Sequence, residues 1–119
     1  MSNKFKAKYD EENDVLFIYH SEKKSHGSIE FGKDIHISFS PKSEVTGLEF
    51  LEASKTISLL SREKISKTDL LNLRKGYLDT TIEKGLIIVR YYLFFEKKEK
   101  PIIEQLVVQD INYKSPITA

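Results

Sequence analysis

The segment Leu86–Phe95 (LIIVRYYLFF) constrains this chain more than any other. With the two-residue period of a strand it is apolar on both faces: Leu86, Ile88, Tyr92 and Phe94 on one, Ile87, Val89, Tyr91, Leu93 and Phe95 on the other. It is about half the length that a helix needs to span a bilayer, and Arg90 interrupts it, so it reads as a buried strand and not as a membrane segment. Such a strand needs cover above and below, and a chain of 119 residues has little helix with which to provide both. Two arrangements meet the need: a sandwich or rolled sheet within one chain, or a symmetric homodimer that pairs the aromatic faces. Arg90 must then reach an edge or meet a carboxylate, because a lone buried charge costs several kcal/mol. An interface salt bridge is one solution and simple extension to solvent is another. Arg90, Tyr91, Tyr92, Phe94 and Phe95 form the candidate interface.

The rest of the chain is patterned as strands and turns around that segment. Lys4, Lys6 and Lys8 alternate with Phe5, Ala7 and Tyr9, the pattern of a half-exposed strand near a sheet edge. The polar break Asp10–Asp14 and the β-forming run Val15–His20 complete a hairpin. Strands follow at 28–31, 35–40 and 45–51, and Pro41 closes the second of these because proline cannot donate to a ladder. From 53 to 64 the period changes, and Ile57, Leu59 and Leu60 suggest a short helical turn. A better marked helix is expected over Lys67–Lys75: Ser66 and Asp69 resemble a capping box, Ile65 and Leu70 occupy the staple positions, and Gly76 is placed for a left-handed C′ residue. Strands at 77–83, 86–95 and 102–111 have short polar separators that favour an antiparallel meander, and the tail from Asn112 is expected to fray. The predicted fold is α+β and mostly β, with about eight antiparallel strands and one main helix near 67–75. A single domain is expected over 1–119, with a β-rich half at 5–56 and a helix followed by a three-stranded meander at 61–112.

Composition narrows the chemistry. Without cysteine there are no disulfides, no thiolate nucleophile and no thiolate metal site. Lys+Arg and Asp+Glu number 19 and 18, so the surface carries dense mixed charge without a dominant field, which favours neither nucleic acid nor an acidic partner. High Lys and Glu with a single Met is the compositional drift of proteins from hot environments. The N-terminal residues alternate Lys with apolar side chains and lack the apolar core of a signal peptide, so a cytoplasmic protein with no membrane attachment is expected.

The densest carboxylates are Asp10, Glu11, Glu12 and Asp14 in the first turn, with Glu49 and Glu52 around the fifth strand. Converging carboxylates can perform acid/base work or hold a hard divalent cation. Acids in a tight loop are turn formers first, however, and no glycine or terminal glutamate follows in calcium-loop register. His20, His26 and His36 lack the helical spacings of zinc enzymes, and His36 shares the polar face of its strand with Ser38. A His-Ser pair there would need an oxyanion hole, and the chain has no Gly-x-Ser-x-Gly turn. Lys4, Lys6 and Lys8 with Lys23, Lys24 and Lys33 could form a basic strip, but acids intersperse the same regions.

Two segments together carry a resemblance: Tyr9-Asp10-Glu11-Glu12-Asn13-Asp14-Val15-Leu16-Phe17-Ile18, and Val45-Thr46-Gly47-Leu48-Glu49-Phe50-Leu51-Glu52-Ala53-Ser54. They resemble the small prokaryotic proteins grouped as domain of unknown function 2283, with a Tyr-Asp, an acidic turn, Asp-x-Leu-x-Ile and a later Gly-Leu-Glu-x-Leu-x-Ala-Ser. The resemblance covers about Phe5 to Thr56. It departs at Ile35–Pro41, where members often carry an acidic strand and turn, and it leaves the chain from Ser61 onward unplaced. It implies a fold and no assigned activity, with at most an antitoxin-like binding role. As architecture, Tyr9, Leu16 and Ile18 pack a core, Asp10 and Asp14 shape the turn, and Gly47 permits a close backbone approach. Glu49 is the one motif position that architecture leaves over.

The function expected from the sequence is a non-catalytic binding module that self-associates as a homodimer, with an unidentified protein partner as a further option and no cofactor. The alternatives are a metal-dependent hydrolase using Asp10, Asp14 and Glu49, and a nucleic-acid-binding or antitoxin-like regulator. Asp10, Asp14, Glu49 and His36 are the candidate functional residues outside the interface.

Overall fold

The alternating pattern of the N-terminal half folds into a five-stranded antiparallel sheet in the computed structural model, which describes residues 4–42 and 44–109. Its strands are β1 (Phe5–Asp10), β2 (Val15–His20), β3 (Gly27–Phe31), β4 (Ile35–Phe39) and β5 (Val45–Phe50), in the order β1-β2-β5-β4-β3. A simple meander would place β3 beside β2; instead β5 pairs with β2, and the β3–β4–β5 unit docks by its last strand. The residues account for this. In β5 only Glu49 escapes full burial, which suits a central strand, whereas β3 is mostly exposed and sits at an edge. As the lysine pattern of β1 foretells, that strand is the opposite edge.

Two helices follow, and they divide the helical residues differently from the expectation of one main helix near 67–75. The longer is α1 (Ala53–Ser61), where only a short turn was expected. The second, α2 (Lys67–Leu71), begins as the sequence says: Ser66 Oγ accepts from the Asp69 N–H at 3.1 Å, and Asp69 Oδ2 accepts from the Ser66 N–H at 2.9 Å. Ile65 and Leu70 are both buried at the staple positions. Its end does not follow the sequence reading. The helix stops at the Asn72 cap, and Arg74, Lys75 and Gly76 belong to strand β6 (Leu73–Glu83). Lys75 and Gly76 pair there with Phe94 and Leu93, so strand pairing overrides the local capping signal. Gly76 has another purpose, because a Cβ on it would lie 3.0 Å from Ala7 Cβ and 3.6 Å from Ile18 Cγ1 on the five-stranded sheet. The glycine lets the two sheets approach.

β6, β7 (Leu86–Phe95) and β8 (Ile102–Gln109) form the expected meander. Lys84 (φ 49) and Gly85 (φ 83) join β6 to β7, a two-residue loop with both φ values positive, which matches the twist of a tight hairpin. The expected end of β8 at 111 and the tail from Asn112 lie outside the described residues.

The two sheets pack face to face. Leu16, Ile18, Leu48 and Phe50 from one sheet meet Ile87, Val89, Tyr91 and Leu93 from the other in one buried cluster, into which α1 and α2 add Ile57 and Leu70. The Phe50 and Tyr91 rings meet edge to face with centroids 5.1 Å apart. Each fully buried side chain of this size contributes roughly 1.5–3 kcal/mol. The sandwich covers one face of β7. Its other face remains half-exposed, so the cover anticipated on both sides is supplied on one side only. Among the described residues no helix is long and apolar enough to cross a membrane.

Candidate functional site

The acidic first turn and the start of α1, forty positions apart, close into one hydrogen-bonded unit. Asp14 takes a positive φ of 53° at the end of the turn, which points its carboxylate across to the helix. Asp14 Oδ2 accepts from Ser54 Oγ at 2.7 Å, and Oδ1 accepts from the Ser54 N–H at 3.1 Å and from the Tyr9 hydroxyl at 2.7 Å. The Asp14 carbonyl accepts from the Ala53 N–H at 2.8 Å. The residue at the N-cap of α1, Glu52, makes no capping bond with its own side chain, so Asp14 caps this helix from another element. Burial disfavours its charge, but the bonds from Tyr9 and Ser54, with the nearby Lys67, outweigh burial and hold the carboxyl below the usual range. Burial first, and then the bond to Asp14, raise the Tyr9 phenol, which stays protonated as a donor.

The remaining sequence candidates lie elsewhere. Asp10 accepts from the Asn13 N–H at 3.2 Å and from Asn13 Nδ2 at 2.9 Å, bonds that lower its carboxyl and mark it as a turn former. Glu49 points outward from β5, and its Oε1 lies 2.9 Å from His36 Nδ1 on β4, with Glu30 of β3 at 3.8 Å on the other ring nitrogen. The acids proposed for a metal-dependent hydrolase thus engage three separate partners: Asn13, the Tyr9–Ser54 pair, and His36. Among the described residues no group of three or more His, Asp or Glu side chains is placed to hold a metal ion. His36 pairs with Glu49 across strands, and its neighbour in sequence reasoning, Ser38, lines the same depression without a bond between them.

Strand register sets the outer face of the five-stranded sheet in rows. One runs Lys8, Phe17, Glu49, His36, Glu30, and the next runs Lys6, Tyr19, Gly47, Ser38, Ser28. Phe17 and Tyr19 are exposed to 40% and 41%. Sequence reasoning did not single out these two rings, although their alternation with Leu16 and Ile18 was the available signal. Gly47 has no side chain and opens a shallow depression of about 370 Å³ beside them.

The outer face of the three-stranded sheet has a different character. Leu86, Ile88, Tyr92 and Phe94 of β7 lie here with Ile103 and Val107 of β8, and Tyr77 stacks on Tyr92 with centroids 4.4 Å apart. Lys75 Nζ lies 5.1 Å and 5.5 Å above the Tyr77 and Phe94 rings. In the middle, Arg90 Nη1 is 3.7 Å from Asp79, and its Nη2 donates to Gln105 at 3.4 Å. Of the five candidate interface residues, Arg90, Tyr92 and Phe94 lie on this face. Tyr91 and Phe95 do not: they are 0% and 4% exposed in the core, because alternate residues of a strand leave by opposite faces.

A cleft of about 610 Å³ separates the sheets at one end, between Lys4, Phe5 and His20 on one side and Tyr77, Asp79 and Tyr92 on the other. Its lysines are committed, Lys4 to Glu22 at 2.7 Å, Lys23 to Glu44, and Lys75 to the aromatic rings.

The family model described as "Protein of unknown function (DUF2283)" matches residues 6–54, a span that ends at Ser54, the residue bonded to Asp14. An uncharacterised protein of the archaeon Methanocaldococcus jannaschii is 36% identical over 110 residues, covering 92% of this chain and 89% of its own length. That similarity therefore extends into the second sheet, which the resemblance of the motifs left unplaced. No solved structure matches the chain with significance. Family model and relative together place this chain in the DUF2283 family.

Proposed function

We propose that the protein is a non-catalytic interaction module that works as a homodimer, pairing the outer faces of its three-stranded sheets. One observation carries this reading: Leu86, Ile103 and Val107 are 44%, 47% and 42% exposed on a single sheet face that also holds Ile88, Tyr92 and Phe94. Apolar surface exposed in this way on a folded protein, here in two patches beside the Asp79–Arg90–Gln105 row, marks an interaction site. A second copy is the occupant that fits best. The face carries apolar side chains on both sides of the central Asp79–Arg90–Gln105 row, so an identical sheet can pack on those patches as the inner sheets pack on each other. Its central charges are opposite and lie on adjacent strands, so a two-fold axis can offer each Arg90 the Asp79 of its partner as well as its own. The loose 3.7 Å separation within one chain leaves room for that exchange.

Light scattering on the purified protein tests the reading. A dimer at micromolar concentration is expected, with Ile103→Lys plus Val107→Lys giving a folded monomer. A wild-type protein that is monomeric throughout this range, or a dimer indifferent to the double substitution, overturns it.

A further inference from the structure

We propose that the outer face of the five-stranded sheet binds single-stranded nucleic acid, with Phe17 and Tyr19 as the stacking platform. This surface is opposite to the one proposed for self-association and does not depend on it.

Phe17 and Tyr19 alternate on β2, so both rings leave the same side of the sheet, about 7 Å apart. Their exposures of 40% and 41% contrast with 0% for the intervening core residues Leu16 and Ile18. Two rings at that spacing can each receive one base of an extended strand, and stacking accepts any base because every base has a π face. A duplex cannot use the same platform, since its bases are already stacked and paired.

The register adds the backbone contacts. Lys8 lies directly opposite Phe17 and Lys6 directly opposite Tyr19 on the edge strand β1. Both are exposed, and neither is in an ion pair among the described residues. Phosphates running along β1 would meet these two ammonium groups while the bases lie inward over β2 and β5. On that inner side Gly47 lowers the sheet, and Ser28, Ser38, His36 and Glu49 line the depression with hydrogen-bonding groups. Glu49 uses Oε1 for His36 and stands directly opposite Phe17 in the register, so its second carboxylate oxygen is a further acceptor beside the platform, which suits a base that carries an exocyclic amino group. The mixed composition argues against a nucleic-acid partner only when charges are averaged over the chain. Folding places Lys6 and Lys8 on β1 beside the two rings, with Asp10 near Lys8 at the end of that strand and bonded to Asn13, and it sets Glu49 of the central strand and Glu30 of the far edge against His36.

Fluorescence anisotropy with labelled homopolymeric RNA and DNA oligonucleotides, single strands against a duplex of mixed sequence, tests the assignment. Single strands are expected to bind more tightly than the duplex. The logarithm of affinity should fall with the logarithm of salt concentration with a slope near −1.4, about −0.7 for each of two phosphates. Phe17→Ala and Tyr19→Ala should each lose about tenfold or more in affinity. Lys6→Gln should flatten the salt slope by about 0.7 with the rings intact, and Glu49→Gln should narrow the preference for adenine, cytosine or guanine over uracil. Far-UV circular dichroism and melting confirm that each variant is folded; all four side chains are at least partly exposed. The proposal is overturned if no single strand binds more tightly than about 100 µM at low salt. It is equally overturned if the double ring variant binds as well as the wild type, which would mean charge adhesion alone.

Discussion

On the five-stranded sheet the outward positions carry Lys6, Lys8, Ser28, Ser38, His36 and Glu49 around two aromatic rings, whereas on the three-stranded sheet they carry Leu86, Ile88, Tyr92, Phe94, Ile103 and Val107 around one ion pair. Both faces lie over the same core, and both belong to antiparallel sheets made by hairpins. What separates them is the identity of every second residue. The first face is polar enough to stay wet and presents rings singly. The second offers apolar patches on either side of its Asp79–Arg90–Gln105 row, which water covers only at a free-energy cost of roughly 25 cal/mol per Å². A sandwich of two sheets has two such outer faces, and this one assigns them opposite surface chemistry.

Moving a charge from one face to the other is the sharpest way to break the comparison. Val107→Lys is expected to weaken self-association by more than about 100-fold, since a charge at an apolar contact must be desolvated, whereas Tyr19→Lys on the other sheet should leave the oligomeric state unchanged in the same light-scattering series. Equal effects from both would mean that the faces are not distinct. The next largest effect concerns the contact on which both faces depend. Gly76→Val should destabilise the chain by about 2–3 kcal/mol in urea denaturation, because its Cβ would press Ala7 and the added methyls must force the sheets apart.

Asp14 tests the join between the first hairpin and α1. Asp14→Ala should cost about 2 kcal/mol, through the lost cap and the unpaired Tyr9 hydroxyl and Ser54 amide. The pH dependence has a definite sign. The folded carboxyl titrates below the unfolded value of about 3.9, so its stabilisation is complete above that pH and is lost as pH falls through the folded value. Chemical denaturation from pH 7 to pH 2 should show wild type and Asp14→Asn converging below about pH 4. A constant gap would show that ionisation of Asp14 contributes nothing. The smallest effect belongs to the β6–β7 hairpin, which carries the apolar face into solvent. Lys84→Asn, at φ 49 before Gly85, should raise stability by about 0.5 kcal/mol in a thermal melt.

Local signals were legible where their physics is local. The lysine alternation of β1, the capping box at Ser66 and Asp69, the staple of Ile65 and Leu70, and the Lys84-Gly85 turn all depend on residues within a few positions of each other. The failures share a cause. Gly76 has the local look of a helix stop, yet it is a strand residue whose neighbours come from β1, β2 and β7. Tyr91 and Phe95 look like interface aromatics, and the strand period already separated them from Tyr92 and Phe94; what it could not say is which set would face the other sheet. Glu49 had no architectural role in the sequence and acquires one only when β4 aligns His36 beside it.

By itself the sequence determined where most of the strands run, which residues share a face, and that β7 is largely apolar on both sides, because a strand's alternation and a turn's φ values depend on nearest neighbours. The tertiary structure alone decided that β5 rather than β3 joins β2, that Asp14 reaches Ser54, and that one apolar face of β7 is covered while the other stays open. Those outcomes depend on the pairing of distant segments, and the free energy of such pairing resides in shared burial and register, not in any single stretch of residues.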